Sequence, residues 1–309
     1  MKNSKITVVE PMFSNNKILN SEIKKKFKNI YFNKKKITEK NLKKIIKNAD
    51  GIILGLQNFN KEIIDSARKL RVIAKFGVGV DNIDLAYAKK KKIKIKRALN
   101  CNKISVAELV LSNMINLQRS INLNDNSLKK FTWKKIEGGE IFQKKIAIIG
   151  LGNTGKEVAK RLKPFNCKIY VNDINYDEKF IKKYGLKKIK FENALKSSDI
   201  ITFHVPLTNM TNNMINNKNI NLLKNNAIII NTSRGTVIDV INLSKNIIKK
   251  NLRIAIDVFK EEPLKLNKQM LKIKESIFTP HIGGTTTESK LRIGRKNIRD
   301  LNNFFQNIN

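Results

Sequence analysis

Residues 145–173, KIAIIGLGNTGKEVAKRLKPFNCKIYVND, constrain the fold of this chain more than any other stretch. The apolar run 146–149 reads as a buried strand. It turns through Gly150, Gly152 and Gly155 into an amphipathic helix with Val158, Ala159, Leu162 and Phe165 on one face, then into a second strand ending at Asp173. Gly150 permits a tight turn, Gly152 leaves room for a pyrophosphate against bare backbone, and Gly155 lets helix and strand pack closely. The helix N-terminus, at Asn153 and Thr154, would aim unpaired N–H groups at phosphate oxygens. Asp173 lies 173 − 155 = 18 residues past the last glycine, near the roughly 20-residue spacing of a carboxylate that binds an adenosine ribose. Glycines also make ordinary turns. The strand before, the helix after and the acid at the second strand's end together point to a dinucleotide site, and the acid favours NAD over NADP because it would repel a 2′-phosphate.

The rest of the chain repeats the same alternation. Runs 6–9, 51–54, 72–76 and 93–95 read as strands, with amphipathic helices at 22–28, 39–48, 61–70 and 85–92. Beyond Asp173, runs 199–203, 227–230, 252–256 and 276–279 continue the series. Alternating strands and helices predict parallel sheets covered on both faces. A length of 309 residues predicts about two domains. Capping boxes are expected at Ser105 with Glu108 and at Thr285 with Glu288, each opening a helix, and Asn60 caps another. Residues 122–144 read as irregular, and the Asn-rich tract 209–226 holds enough apolar residues for a short packed helix.

Polar punctuation falls at the strand ends, where ligands of an open parallel sheet bind. GVGVDNID at 77–84 leaves backbone amides for a carboxylate or phosphate, or makes a plain glycine turn with Asp81 or Asp84 as a helix cap. His204 precedes a proline and reads as a structural loop histidine near the cofactor. His281 lies between Pro280 and two glycines on the last strand's loop, and is the better proton carrier; Glu262 could orient it and favour its charged form. Arg234, at the end of a buried strand, calls for an anion to bind.

Composition removes several alternatives. No apolar run approaches the ~20 residues of a membrane span, and the N-terminus lacks a signal-peptide core. Cys101 and Cys167 form no CxxC pair, so neither a metal site nor a disulfide framework is expected, and a reducing cytoplasm fits. The net charge of +38 would suit nucleic acid, but the lysines are dispersed and accompany abundant Asn and Ile, all with AT-rich codons. A dispersed charge is a solvated surface rather than a footprint, so no specific nucleic-acid partner is expected.

The motifs FGVGVDNIDL, NKISVAE, IGLGNTG with Asp173, HVPLT, INTSRG, AIDVF with EEP, and TPHIGG, spread over residues 49–294, resemble the D-isomer-specific 2-hydroxyacid dehydrogenases, and within them the D-3-phosphoglycerate dehydrogenase branch. The resemblance implies two doubly wound α/β domains, a Rossmann-type NAD domain (99–283) inserted into a flavodoxin-like substrate domain (1–98 plus 284–309), with a cleft closing on hinges near 98 and 284. It implies Arg234 for the substrate carboxylate and carbonyl, His281 as acid/base and Glu262 as its partner. Lys75, Val78, Gly79 and Asn102 would serve the substrate. His204, Val205, Pro206, Thr211, Thr232, Ser233, Asp257, His281 and Gly283 would line the cofactor, Asp257 at the nicotinamide amide. A homodimer through the cofactor domain, a small 2-hydroxy or 2-keto acid as substrate and, for this branch, serine biosynthesis are further implications. The chain departs from the branch where it carries arginines for a substrate phosphate: Gly55 follows Leu54 and Lys75 precedes Phe76. Leu99 replaces a frequent proline, and the sequence ends after the returning helix, as in short forms without a serine-sensing domain. Glyoxylate and hydroxypyruvate therefore stand beside 3-phosphoglycerate as substrates, and a dinucleotide-sensing corepressor of the same fold is the non-enzymatic alternative.

Overall fold

Short Ile- and Val-rich runs become strands here because a central strand of a parallel sheet is covered on both faces and needs apolar side chains on each. The computed structural model describes residues 4–264 and 268–307. It divides into two units, Met1–Asn102 with Gly284–Asn309, and Lys103–Gly283.

The first unit runs β1 (Lys5–Val8), α1 (Pro11–Ser14), α2 (Lys17–Lys24), β2 (Asn29–Phe32), α3 (Glu39–Ile46), β3 (Gly51–Leu54), α4 (Lys61–Ser66), β4 (Val72–Lys75), α5 (Leu85–Lys90) and β5 (Lys94–Arg97). Its strands pair in parallel in the order β2-β1-β3-β4-β5, so the strand order reverses between β1 and β3. The second unit holds α6 (Lys103–Gln118), α7 (Ile121–Lys129), β6 (Lys145–Ile149), α8 (Asn153–Leu162), β7 (Lys168–Asn172), α9 (Glu178–Tyr184), β8 (Lys187–Lys188), α10 (Phe191–Ser197), β9 (Ile200–Phe203), β10 (Ile228–Asn231), α11 (Val240–Lys249), β11 (Arg253–Ile256) and β12 (Ser276–Phe278). Its parallel sheet has the order β12-β11-β10-β9-β6-β7-β8, reversing between β6 and β9. Helix α12 (Thr287–Gln306) returns to the first unit, where Ile293, Ile298, Leu301 and Phe305 join Ile6, Ile53, Val72 and Ala74 in one core layer. Both sheets are doubly wound, one Rossmann-type and one flavodoxin-like.

Several local expectations are corrected. The helix expected at 22–28 is α2, which starts earlier because Asn16 accepts from the Leu19 N–H as its N-cap. β2 was not anticipated: it is a four-residue edge strand of alternating exposure, and its three apolar residues, Ile30, Tyr31 and Phe32, stand between lysine-rich segments. Ser105 is buried inside α6, and Glu108 lies 3.6 Å from Arg161 instead of reaching back to cap the helix. The cap of α12 is Thr286, accepting from the Ser289 N–H, one residue beyond the expected Thr285. Residues 121–129 are helical although no side chain there is buried; Asn124 fastens this turn by bonding the Ser120 and Ile136 carbonyls and the Ile136 N–H, a side-chain clamp that periodicity does not reveal. In the Asn-rich tract only Ile220–Leu222 coils, as a 3-10 turn, with Ile215, Ile220 and Leu223 buried. The units part after Asn102 and not after residue 98, because the Cys101 N–H reaches the Ala98 carbonyl and Arg292 of α12 donates to the Cys101 carbonyl.

Candidate active site

In the second unit the glycine loop joins β6 to α8 at the point where the strand order reverses. Gly150 has φ +95, a value side chains resist, and a Cβ there would stand 2.6 Å from the His204 carbonyl oxygen. The loop is thus pressed against the end of β9, and the His204 N–H donates to the Ile149 carbonyl at 2.7 Å. A Cβ on Gly155 would collide with the Gly150 carbonyl, whereas a Cβ on Gly152 would meet nothing within 4 Å. Gly152 is the N-cap of α8 and no side chain caps that helix, so the amides of Asn153 and Thr154 face open space beside bare backbone. This is the arrangement a pyrophosphate requires. At the end of β7, Asp173 accepts from the Leu151 N–H at 2.5 Å and the Asn175 N–H at 3.0 Å, which holds its carboxylate at the loop. The Thr232 hydroxyl is buried without a hydrogen-bond partner among the described residues, an orphan that a ligand atom would satisfy. The residues present therefore fit a dinucleotide.

The loop after β9 lies beside this loop, and β10 follows β9 in the sheet. Thr211 accepts from the Thr208 N–H and donates to the Pro206 carbonyl at 2.6 Å, tying down the turn that carries Val205 and Pro206. The His204 ring bonds Thr202 at 3.0 Å, and burial pushes its pKa down to about 3, so it is a neutral imidazole with a structural bond. After β10, the buried Asn231 takes bonds from the Ser233 N–H and hydroxyl and donates to the Arg234 carbonyl. Arg234 donates to the Ser233 carbonyl at 2.7 Å.

The loop after β12 is held by Asp257, at the end of β11. Buried at 1% exposure, its carboxylate accepts from the Thr279 hydroxyl and from the Ile282 and Gly283 N–H groups at 2.6–2.9 Å. The Asp257 carbonyl takes the His281 N–H at 2.8 Å. This clamp stabilises His281 at φ +54, a left-handed conformation costing on the order of 1 kcal/mol. The ring Nδ1 of His281 lies 2.7 Å from Glu262 Oε2, and Glu262 Oε1 accepts from the Phe259 N–H at 3.0 Å. Burial alone would raise the Glu262 pKa, but the His281 and Phe259 bonds and the Arg234 charge hold it below the usual value. Nδ1 is thereby spent, and Nε2 is the nitrogen left for a substrate.

The first unit carries the other expected residues. Gly77, at φ +150, turns the chain out of β4, and Arg97 donates to the Val78 carbonyl at 2.8 Å. The amides of Val78 and Gly79 find no partner among the described residues. Asn102 packs against Gly284, and Asp84 caps α5 through the Tyr87 N–H. Lys75 is only 3% exposed and its ammonium donates to the Gly55 carbonyl, so it presents no open cation.

A family model described as D-isomer specific 2-hydroxyacid dehydrogenase, NAD binding domain, matches residues 111–283. The chain belongs to this family. It is 38% identical over 263 residues to a D-3-phosphoglycerate dehydrogenase of Methanocaldococcus jannaschii, covering 84% of this chain and 50% of that protein. To a hydroxypyruvate reductase of Thermotoga maritima it is 35% identical over 259 residues, 82% of this chain and 84% of the relative. The chain thus spans about half the length of the first and most of the second. A D-lactate dehydrogenase from Aquifex aeolicus, solved with NAD and lactic acid, superposes with a TM-score of 0.85 at 26% identity over 98% of this chain and 96% of that one. Membership in this dehydrogenase family makes the second unit its NAD-binding domain.

Reading by motif missed Asn231 and Thr279 as supports of the site, although a polar residue closing an all-apolar strand is a visible signal. It also missed Glu157. This acid of α8 is 8% exposed and lies among Arg161 at 2.6 Å and Lys160 and Lys103 at 3.1 Å. Burial works to raise its pKa, and those three cations bring it down to about 2. No cluster of His, Cys, Asp and Glu able to hold a metal occurs among the described residues, and no described helix is long and apolar enough to cross a membrane.

Proposed function

We propose that this protein is an NAD-dependent D-2-hydroxyacid dehydrogenase acting on a small 2-hydroxy or 2-keto acid. The observation that carries the reading is the Glu262–His281 pair beside Arg234, on loops that the Asp257 clamp and Asn231 hold in place. Bound nicotinamide supplies the hydride in keto-acid reduction. His281 Nε2 gives its proton to the substrate carbonyl oxygen as charge builds there. Arg234 grips the carboxylate and that oxygen with its planar fork. Glu262 holds the ring through Nδ1 and favours the imidazolium that acts as the acid. In the first unit, the Val78 and Gly79 amides serve the substrate carboxylate, with Asn102 beside the substrate, while Lys75 is spent on the Gly55 carbonyl. For the cofactor, Asn153, Thr154 and Gly152 receive the pyrophosphate, Asp173 the adenosine ribose, and Val205, Pro206, Thr211, Thr232, Ser233 and Gly283 line its path. The Asp257 carboxylate, committed to the 280s loop by three bonds, would have one acceptor position left for the nicotinamide amide.

Turnover of NADH with glyoxylate, hydroxypyruvate and other 2-keto acids tests this. Tight NADH binding with no turnover of any of them would favour the corepressor reading. The exposed Phe131, Trp133 and Phe142 support a homodimer through the second unit; light scattering should give twice the chain mass, and Trp133→Asp should shift it toward monomer. A cytoplasmic location follows from the same metabolic role. A place in serine biosynthesis depends on the substrate's phosphate.

A further inference from the structure

We propose that the second unit carries a further small-molecule site, separate from the nucleotide and catalytic residues, that takes a primary amine on a short apolar body. The inference does not rest on the dehydrogenase reading. A cavity of about 220 Å³ opens between the start of α11 and the loop that follows β11. Neither the glycine loop nor Asp173, Arg234, Asp257, Glu262 or His281 lines it.

Size restricts the occupant first. About 150 Å³ holds a benzene ring, so about 220 Å³ admits one ring with a short arm and excludes a dinucleotide. Ile238, Val240, Ile241, Val258, Phe259 and Leu264 give the cavity an apolar wall for that ring. The wall is also braced. A Cβ on Gly235, another lining residue, would stand 1.9 Å from the Phe259 carbonyl carbon, so two of the lining segments already touch backbone to backbone.

The polar groups then set the charge of the occupant. Asp239 caps α11, accepting from the Asn242 N–H at 3.2 Å and from the Asn242 side-chain amide at 2.8 Å. A carboxylate offers about four acceptor positions, so two remain. Its ion-pair partner, Lys260, lies 4.0 Å away with a side chain 61% exposed, a pair that contributes little in water. Glu261 also lines the cavity, which thus holds two carboxylates against one ammonium. A ligand ammonium would take the open positions of Asp239 while its ring packs on the apolar wall; a carboxylate or phosphate would meet like charge. The chain's net charge of +38 opposes a cation at long range. At physiological salt, exposed charges beyond about 8 Å are screened, and the groups lining the cavity decide.

The test is isothermal titration calorimetry of the whole chain with phenethylamine, 2-phenylethanol and 3-phenylpropionate at neutral pH and physiological salt. Phenethylamine should bind one to one with a Kd on the order of 1 mM or below. The alcohol, of the same shape without the charge, should bind about fivefold more weakly or worse, and the carboxylate not at all. Asp239→Asn keeps a good helix cap and loses the charge, so it should weaken the amine by about fivefold or more. Ile241→Trp should fill the cavity and abolish binding; thermal melting checks that both variants fold. Saturating NADH should leave the amine's affinity unchanged. Absence of saturable amine binding to the parent overturns the proposal, as does equal affinity for amine and alcohol, which needs no variant to fold. Displacement of the amine by NADH, or a folded Asp239→Asn or Ile241→Trp that binds it as the parent does, overturns it as well.

Discussion

In the first unit, Glu10 and Lys75 stand at or near the ends of β1 and β4, both buried, the carboxylate beside Gly55 and bonded to the Met12 N–H, the ammonium donating to the Gly55 carbonyl. In the second, Arg234, Glu262 and His281 stand on the loops after β10, β11 and β12, and the Glu262 bond to the histidine leaves one of its ring nitrogens over. Both arrangements satisfy the rule that buried charge needs a partner. They differ in what remains. A cluster closed on itself leaves recognition to backbone amides and to shape, whereas a cluster with one group to spare can move a proton.

The sharpest way to break this contrast is to remove the spare group. His281→Ala should lower kcat on the best keto acid by on the order of 10²–10⁴, with NADH affinity, read by fluorescence titration, almost intact. If His204→Ala did this and His281→Ala did not, the neutral, Thr202-bonded histidine would be the acid and the comparison would be wrong. Arg234→Lys retains the charge but loses the fork. A drop in kcat/KM of roughly ten- to a hundredfold, with KM raised and kcat lowered, is expected from losing a charge-assisted bond.

Asp173 extends the contrast to the cofactor. Parent kcat/KM should favour NADH over NADPH, and Asp173→Ala should cut the preference by at least about tenfold by removing a like charge from the 2′-phosphate. Equal use of both cofactors by the parent would refute the assignment. Glu157 is a closed cluster of the second unit and should register in stability alone. Glu157→Gln should destabilise that unit by on the order of 2 kcal/mol in urea unfolding with kcat unchanged. Because its pKa is depressed from 4.5 to about 2, the parent's extra stability should be present above about pH 4.5 and fade as pH falls toward 2. The smallest effect is expected at Glu262. In Glu262→Gln an amide no longer favours the imidazolium, so reduction should lose activity about one pH unit lower than in the parent.

The second unit was far more legible in the sequence than the first. Gly150, Gly152 and Gly155 followed by Asp173, and the polar residues closing β9 to β12, are local signals, because a tight turn or a bare helix N-terminus demands a particular residue at a particular place. His281 and Glu262 could be paired only through resemblance, since they are 19 positions apart and meet through loop packing. Lys75 illustrates the opposite outcome. As the residue closing a strand it reads as a cation for substrate, and only the fold shows its ammonium turned inward onto Gly55.

By itself, then, the sequence determined most of the order of strands and helices, the parallel character of the sheets and the dinucleotide loop, and resemblance added the two doubly wound domains. Continuous apolar runs, helical spacing and turn chemistry act over a few residues and leave their mark in order along the chain. Tertiary structure alone decided how each charge is spent. Glu10 meets Gly55 from 45 positions away, Glu157 draws Lys103 from another helix, and Asp257 clamps the loop that carries His281. Burial and the approach of distant partners set whether a charged group is neutralised or left available for chemistry, and no local pattern encodes that distance.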